Sequence, residues 1–169
     1  MDKEKDGKVT ALATVAVVMA LSLVGNIDWR AVGVYPSCPA VNRLTYQFFH
    51  TSPLHAAVNA WCVLSVVFIH KVSLQRLMFA YTASAFVPAN TIGMFAEWNT
   101  PTVGLSGVAY ALLGTITFNV ARKRYFQSCM AVYITLGFVL PKVNAWLHLY
   151  CYLCGLALAC LNKPIRRKI

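Results

Sequence analysis

Hydrophobic residues recur along nearly the whole chain in six stretches, and all but the first two stretches are separated by short segments. Each stretch has about 16 to 22 residues, close to the length that an α-helix needs to cross the hydrocarbon layer of a membrane. The stretches are residues 9–27, 54–69, 74–95, 103–121, 125–140 and 143–161. The pattern predicts an all-α fold, a polytopic membrane bundle of six transmembrane helices over residues 9–162, with polar tails at 1–8 and 163–169. Pro88 is expected to end or kink the third helix.

Composition agrees with a membrane domain and argues against other classes. Of the 169 residues, 59% are hydrophobic and only 12% are charged, whereas about 25% charged is usual for a soluble domain. The net charge of +10 could suggest a nucleic-acid partner. However, the basic residues form short clusters between apolar runs, without a basic face or an interleaved aromatic platform. We therefore expect the lipid bilayer, and no nucleic acid, as a partner.

The distribution of the 15 Lys and Arg residues predicts the orientation in the membrane. With six crossings, one side holds Lys3, Lys5, Lys8, Lys71, Arg76, Arg122, Lys123, Arg124, Lys163, Arg166, Arg167 and Lys168. The other side holds only Arg30, Arg43 and Lys142. Because cytoplasmic loops carry the excess of basic residues, both termini are expected in the cytoplasm.

Four polar residues lie near the beginnings of the second, fourth and sixth stretches. His55 and Asn59 lie in the first turns of the second stretch, Ser106 in the first turn of the fourth and His148 in the second turn of the sixth. All three stretches begin on the non-cytoplasmic side, so the four residues share one depth. An ionisable group inside a transmembrane segment indicates function.

Ser106 and His148 are the candidate nucleophile and base. The string Gly104-Leu105-Ser106-Gly107 is weak by itself, because small residues also allow close helix packing. Its functional interpretation is that the glycines leave room for a substrate and free an amide N–H near the serine. His148 could equally be an interfacial histidine near an aromatic belt. The sequence places no carboxylate at this depth, and Asp28 and Glu97 fall in outer loops, so a Ser–His dyad is simpler than a triad.

Three further side chains could support this pair. Tyr110 lies one turn below Ser106 on the same helical face, where it could pack against the imidazole or merely fill space. His55 and Asn59 project from one face of the second helix, and both can donate hydrogen bonds to an oxyanion. They could instead hold two helices together as a hydrogen-bonded pair. Because water must reach the serine for deacylation, we expect a polar cavity bounded by Ser106, His148, His55 and Asn59.

A metal site is the alternative that the cysteines raise. On a helix, His148, Cys151 and Cys154 spread over about 120°, so they cannot converge on one ion. The six cysteines imply no disulfide framework, since only Cys38 falls in an outer loop. We expect neither a metal nor another cofactor.

These residues together resemble the rhomboid family of intramembrane serine proteases, over residues 42–159. The matching motifs are Arg43-Leu44-Thr45-Tyr46-Gln47-Phe48-Phe49-His50, His55 with Asn59, Gly104-Leu105-Ser106-Gly107-Val108-Ala109-Tyr110-Ala111-Leu112-Leu113-Gly114, and His148 with Gly155. Four departures stand beside them, and one is that the first loop is short. Asn42 replaces the tryptophan that usually precedes the first-loop arginine, and Arg43 lies one residue nearer His50 than usual. Cys151 replaces a common glycine, so the fourth and sixth helices are expected to pack slightly farther apart.

The resemblance implies a rhomboid-like six-helix core of the bacterial type. Ser106 would be the nucleophile and His148 the general base, with His55, Asn59 and the Ser106 amide lining the oxyanion hole. The supporting residues that it implies are Gly104, Gly107, Tyr110 and His50. It also implies that the substrates are transmembrane segments of other proteins and that the chain resides in a bacterial plasma membrane.

The sequence thus predicts an intramembrane serine endopeptidase. A non-proteolytic relative that binds transmembrane clients is the main alternative, disfavoured because both the serine and the histidine are present. A small transporter or channel would need broken helices at mid-depth or rings of charge, which the sequence lacks.

Overall fold

The computed structural model describes residues 3–96, 98 and 100–162, and this part of the chain is helical. It contains no strand beyond an isolated antiparallel bridge between Val34 and Thr102, so the all-α prediction is confirmed. The α-helices are α1 Lys3–Leu21, α2 Trp29–Val32, α3 Ala40–Thr45, α4 Pro53–Ile69, α5 Leu74–Ala85, α6 Ala89–Gly93, α7 Ser106–Thr115, α8 Lys123–Val139 and α9 Ala145–Leu161, with a 3-10 helix at Tyr46–Phe48. Asp2, Glu97, Asn99 and the predicted tail 163–169 lie outside the described residues.

The starts of three long helices are fixed by the local sequence. Each begins after a residue whose side-chain oxygen accepts a hydrogen bond from a backbone N–H of the first turn, namely Ser52 for α4, Ser73 for α5 and Asn144 for α9. Pro53 occupies the first turn of α4, where its missing N–H costs nothing. These caps determine where His55 and His148 stand along their helices.

Helix α7 lies at the centre of the bundle. It packs against α9, α5 and α4, whereas α1 packs against α4 and α5, and α8 packs against α9. Seven of its ten residues are buried, several of them small, so neighbouring helices come close on all sides. The residue that begins this buried helix is Ser106.

Two of the predicted helical stretches differ from the structure in their bounds. The third is divided as Pro88 predicted, because α5 ends at Ala85 and Pro88 precedes α6. The fourth was predicted over 103–121, which is wrong in length, since α7 covers only Ser106–Thr115. It cannot begin earlier because Gly104 has a φ of +129° and Thr102 pairs with Val34. At about 1.5 Å per residue, α7 is about 15 Å long.

The first helix is displaced toward the amino end. It begins at Lys3, within the polar segment predicted as a tail, and ends at Leu21. Lys8 and Glu4, four residues apart, form an ion pair of 2.6 Å on its first turns. Beyond its end, Asn26 has a φ of 57° in the left-handed region, which a continuing helix does not allow.

Length and apolarity decide whether a helix of the described residues could span a membrane. None is by itself both long and apolar enough for a membrane span. The bent pair Ala40–Phe48 and Pro53–Ile69, with 87° between its parts, meets the criteria jointly by length and composition, and Ala145–Leu161 is a shorter apolar helix.

Candidate active site

Ser106 and His148 are brought together at the amino ends of α7 and α9. The Nε2 atom of His148 lies 2.9 Å from Oγ of Ser106. This separation is within the reach that proton transfer between a nucleophile and a base requires. Both side chains are half-buried. The arrangement can therefore abstract the proton of the serine hydroxyl as it attacks.

The ring of Tyr110 lies flat against the imidazole of His148. The ring centroids are 4.2 Å apart and the planes differ by 10°. Tyr110 stands four residues after Ser106, so it projects from the same face of α7. Stacking of this kind restrains the imidazole from rotating away from the serine.

A glycine turn precedes the serine and meets α4. Gly104 has a φ of +129°, a conformation that side-chain-bearing residues rarely adopt. A Cβ on Gly104 would lie 3.1 Å from Cε1 and 3.2 Å from Nε2 of His55, and 3.6 Å from Nδ2 of Asn59. The absence of a side chain thus lets the backbone beside Ser106 approach both polar groups of α4.

Asn59 presents an unpaired donor at this place. Its side chain is 7% exposed, and its Nδ2 atom has no hydrogen-bond partner among the described residues. A buried donor without a partner is costly and calls for an explanation. Here Nδ2 lies beside Gly104, where it could donate to a negatively charged oxygen formed next to Ser106.

His55 contributes a second ring nitrogen to the same place. Its Nδ1 atom lies 3.2 Å from Oγ1 of Thr51. When the Thr51 hydroxyl donates to Nδ1, the ring proton resides on Nε2, which is the atom beside Gly104. In that tautomer His55 and Asn59 each have a donor close to the Gly104 backbone.

His50 fixes the backbone between the glycine turn and the serine. Its Nε2 atom accepts a hydrogen bond of 3.0 Å from the backbone N–H of Leu105, and its ring meets His55 edge-on at 5.0 Å. Burial, with a smaller effect of His55, lowers the pKa of His50 to about 4, so the ring is neutral near pH 7 and free to accept. The next amide, that of Ser106, is the first of α7 and has no partner within the helix.

Comparison with known protein families identifies the family of this chain. A family model described as the rhomboid domain matches residues 39–164, which is more than half of the chain. The chain belongs to the rhomboid family. Most members are intramembrane serine proteases that act on transmembrane substrates, and membership implies an integral membrane protein. Comparison with curated proteins and with solved structures finds no match.

The first loop of this rhomboid is fastened where its sequence departs from the family pattern. Asn42, in the place of the usual tryptophan, is 1% exposed, and its Nδ2 atom donates to the carbonyls of Arg30 and Gly33, both at 2.8 Å. Arg43 Nη1 donates to the carbonyl of Val87 at 2.7 Å, which links the loop to the end of α5. Hydrogen bonds of Asn42 and Arg43 therefore hold the first loop in place, where packing of a tryptophan ring would otherwise do so.

Gly107, and Cys151 in the place of a common glycine, both lie where helices meet. Gly107 faces Ser84 and Tyr46, because a Cβ there would lie 3.1 Å from the Tyr46 hydroxyl and closer still to that of Ser84. Helix α9 approaches α7 closely at Gly155, one turn after Cys151, and the wider spacing expected from Cys151 stays a prediction. Cys151 itself is fully buried.

Acidic residues and metal ligands do not join the candidate site in the described part of this rhomboid. Asp28 caps α2, its Oδ1 accepting from the Arg30 N–H at 2.9 Å, and Glu97 lies outside the described residues. No group of three or more His, Cys, Asp or Glu residues in that part could hold a metal ion.

A cavity of about 840 Å³ adjoins the site on the side of His55. Thr51, Val103, Asn144 and Trp146 line it as well, but Ser106, His148 and Asn59 do not. Of the four polar residues expected to bound one cavity, His55 lines this one, and the expectation for the other three stays a prediction.

Two residues that the sequence did not single out also reach the site. Asn144 caps α9 four residues before His148, and its amide Nδ2 donates to Thr102, four residues before Ser106. The cap was detectable, because Asn before an apolar helical run is a typical start signal. The bond to Thr102 was not, since it joins residues 42 positions apart.

Proposed function

We propose that this rhomboid is an intramembrane serine endopeptidase that cleaves transmembrane segments of other membrane proteins. The observation that carries the proposal is the 2.9 Å separation of His148 Nε2 and Ser106 Oγ. A serine hydroxyl is a weak nucleophile near neutral pH unless a base takes its proton. No other function considered for the chain explains why this pair is formed between α7 and α9.

In the proposed reaction, Ser106 Oγ attacks a peptide carbonyl of the substrate while His148 takes its proton. The tetrahedral intermediate collapses to an ester on Ser106, and the proton on His148 passes to the departing amine. A water molecule, deprotonated by His148, then attacks the ester, and the proton passes from His148 to Ser106 Oγ as the second product leaves. No acidic residue is required to complete these steps.

The oxyanion of each tetrahedral intermediate would be bound by three donors. These are the Asn59 amide, Nε2 of His55 and the backbone N–H of Ser106. The unpaired Nδ2 of Asn59 and its closeness to Gly104 support this assignment. Fixed donors stabilise a negative charge more strongly in a site that excludes water than in bulk solvent. Gly104, Gly107, Tyr110 and His50 would support the site by fixing backbone and imidazole positions.

The proposed placement is a bacterial plasma membrane crossed six times, with both termini in the cytoplasm. It is supported by the distribution of Lys and Arg along the sequence. A reporter that is active only outside the cytoplasm, fused after Ile169, should give no signal. A strong signal would contradict the orientation.

The proposal is tested with the purified protein and a substrate that has one transmembrane segment. We expect cleavage by the wild type and none by Ser106→Ala, and the same thermal unfolding for both, because loss of the hydroxyl makes no large cavity. Ser128→Ala, an exposed serine on α8, is the matched control and should cleave normally. Binding of the substrate by the wild type without cleavage would instead favour a non-proteolytic client-binding protein.

A further inference from the structure

Thr102 joins three segments of the chain just before the candidate nucleophile. Its backbone N–H and carbonyl pair with Val34 at 2.8 and 2.9 Å. Its Oγ1 atom accepts hydrogen bonds from Trp98 Nε1 and from Asn144 Nδ2, each at 3.0 Å. The segment that leads into α7 is therefore tied both to the first loop and to the start of α9.

Both polar atoms of the Asn144 side-chain amide form hydrogen bonds. Its Oδ1 atom accepts the backbone N–H of Leu147 at 3.0 Å, which caps α9, and its Nδ2 atom donates to Thr102. The two bonds require the same orientation of the amide, so each supports the other. A residue that only capped the helix would not need the second group.

The contact stands in register with the Ser106–His148 pair. Thr102 precedes Ser106 by four residues, and Asn144 precedes His148 by four, so both pairs span 42 positions. On the other side of the serine and histidine, Gly155 packs against Ala111. Helix α9 is thus tied to α7 at Gly155 and, through its cap Asn144, to the segment that leads into α7, with Ser106 and His148 between the two contacts.

We propose that the Asn144–Thr102 hydrogen bond is a positioning pair that sets the distance between Ser106 Oγ and His148 Nε2. The inference rests on the proposed protease function and adds two residues that do not touch the reacting atoms. Fixing α7 and α9 at one point alone would let their ends pivot. A displacement of about 1 Å between reacting groups can slow a reaction about a hundredfold.

Substitutions can separate this role from helix capping. Asn144→Ser keeps a side-chain oxygen for the cap but is too short to reach Thr102 as well. Thr102→Val keeps the shape of the side chain and removes the acceptor. Thr102→Ser keeps the hydroxyl and is the conservative control.

The experiment measures kcat and KM for cleavage of a transmembrane substrate by the wild type and these variants. We expect Asn144→Ser and Thr102→Val each to lower kcat about tenfold, with KM changed less than about twofold. Thr102→Ser should restore kcat to within about twofold of the wild type. The double variant Asn144→Ser with Thr102→Val should be no slower than Thr102→Val alone, because Thr102→Val already removes the bond to Asn144 together with the bond from Trp98.

The contradicting results are distinct. Wild-type kcat in Asn144→Ser, fully multiplicative losses in the double variant, or failure of Thr102→Ser to restore the rate would each overturn the positioning pair alone. Absence of turnover by the wild type would overturn the proposed function and the pair with it. Should Asn144→Ser fail to fold, Thr102→Val is compared with Trp98→Phe, which removes only the other hydrogen bond to Thr102 Oγ1. Equal rates of these two variants would overturn the positioning pair.

Discussion

Gly155 of α9 lies directly against the carbonyl group of Ala111 in α7. A Cβ at this glycine would stand 3.0 Å from the Ala111 carbonyl carbon and 3.0 Å from Cα of Gly114. These are backbone atoms, so neither can rotate out of the way. The lack of a side chain at Gly155 therefore allows the two helices that carry Ser106 and His148 to come this close.

Substitution of Gly155 by alanine should push α7 and α9 apart. Overpacking of this kind typically costs about 1 to 3 kcal/mol, so we expect a lower free energy of unfolding together with slower cleavage. Gly25→Ala is the control, because a Cβ on Gly25 would meet nothing within 4 Å. Unfolding in graded denaturant and cleavage of the same substrate are measured for both. Equal stability and rate in Gly155→Ala and the wild type would contradict the close contact.

Substitution of Asn59 by leucine should separate activity from stability. Loss of one oxyanion donor typically lowers kcat about 10²- to 10³-fold. Because Nδ2 of Asn59 is a buried donor without a partner among the described residues, an apolar side chain of similar size should leave the free energy of unfolding unchanged or higher.

The matched control for Asn59 is Asn119→Leu, an exposed asparagine beyond the other end of α7. It should retain the wild-type kcat. Unchanged kcat in Asn59→Leu would remove Asn59 from the oxyanion hole.

Substrates should contain residues that unwind a helix near its outer end. A folded helix keeps its carbonyls in hydrogen bonds, and Gly or Pro lowers the cost of opening them by about 1 and 3 kcal/mol per residue relative to alanine. We expect that replacing such residues with Leu, while the sequence at the cut bond is kept, reduces cleavage in the same membrane. Undiminished cleavage of the all-Leu segment would show that only the local sequence matters.

The sequence could predict those features that repeat along it or lie within one helix. Hydrophobic stretches gave the all-α fold, and the four-residue spacing of Ser106 and Tyr110 placed both on one face of α7. The polar positions at the starts of alternate stretches led to His55 and Asn59, which lie beside Gly104, and to the Ser106–His148 pair.

Features that depend on contacts between distant segments could not be predicted in this way. The short length of α7 follows from the turn at Gly104 and from the bridge between Thr102 and Val34. Nor does any periodicity show that Asn144 reaches Thr102, or that Asn42 fastens the first loop. Hydrophobicity alone extends a helix wherever apolar residues continue, so it cannot find where tertiary contacts end one.

The central claim is that Ser106 is a nucleophile activated by His148, and reaction with a fluorophosphonate tests it most directly. The purified wild type is treated with the probe, digested and mapped by mass spectrometry, alongside Ser106→Ala and His148→Ala. We expect one labelled serine, Ser106, and loss of labelling in both variants, because the serine without its base is a weak nucleophile. Label on another residue, or undiminished labelling of His148→Ala, would contradict the account.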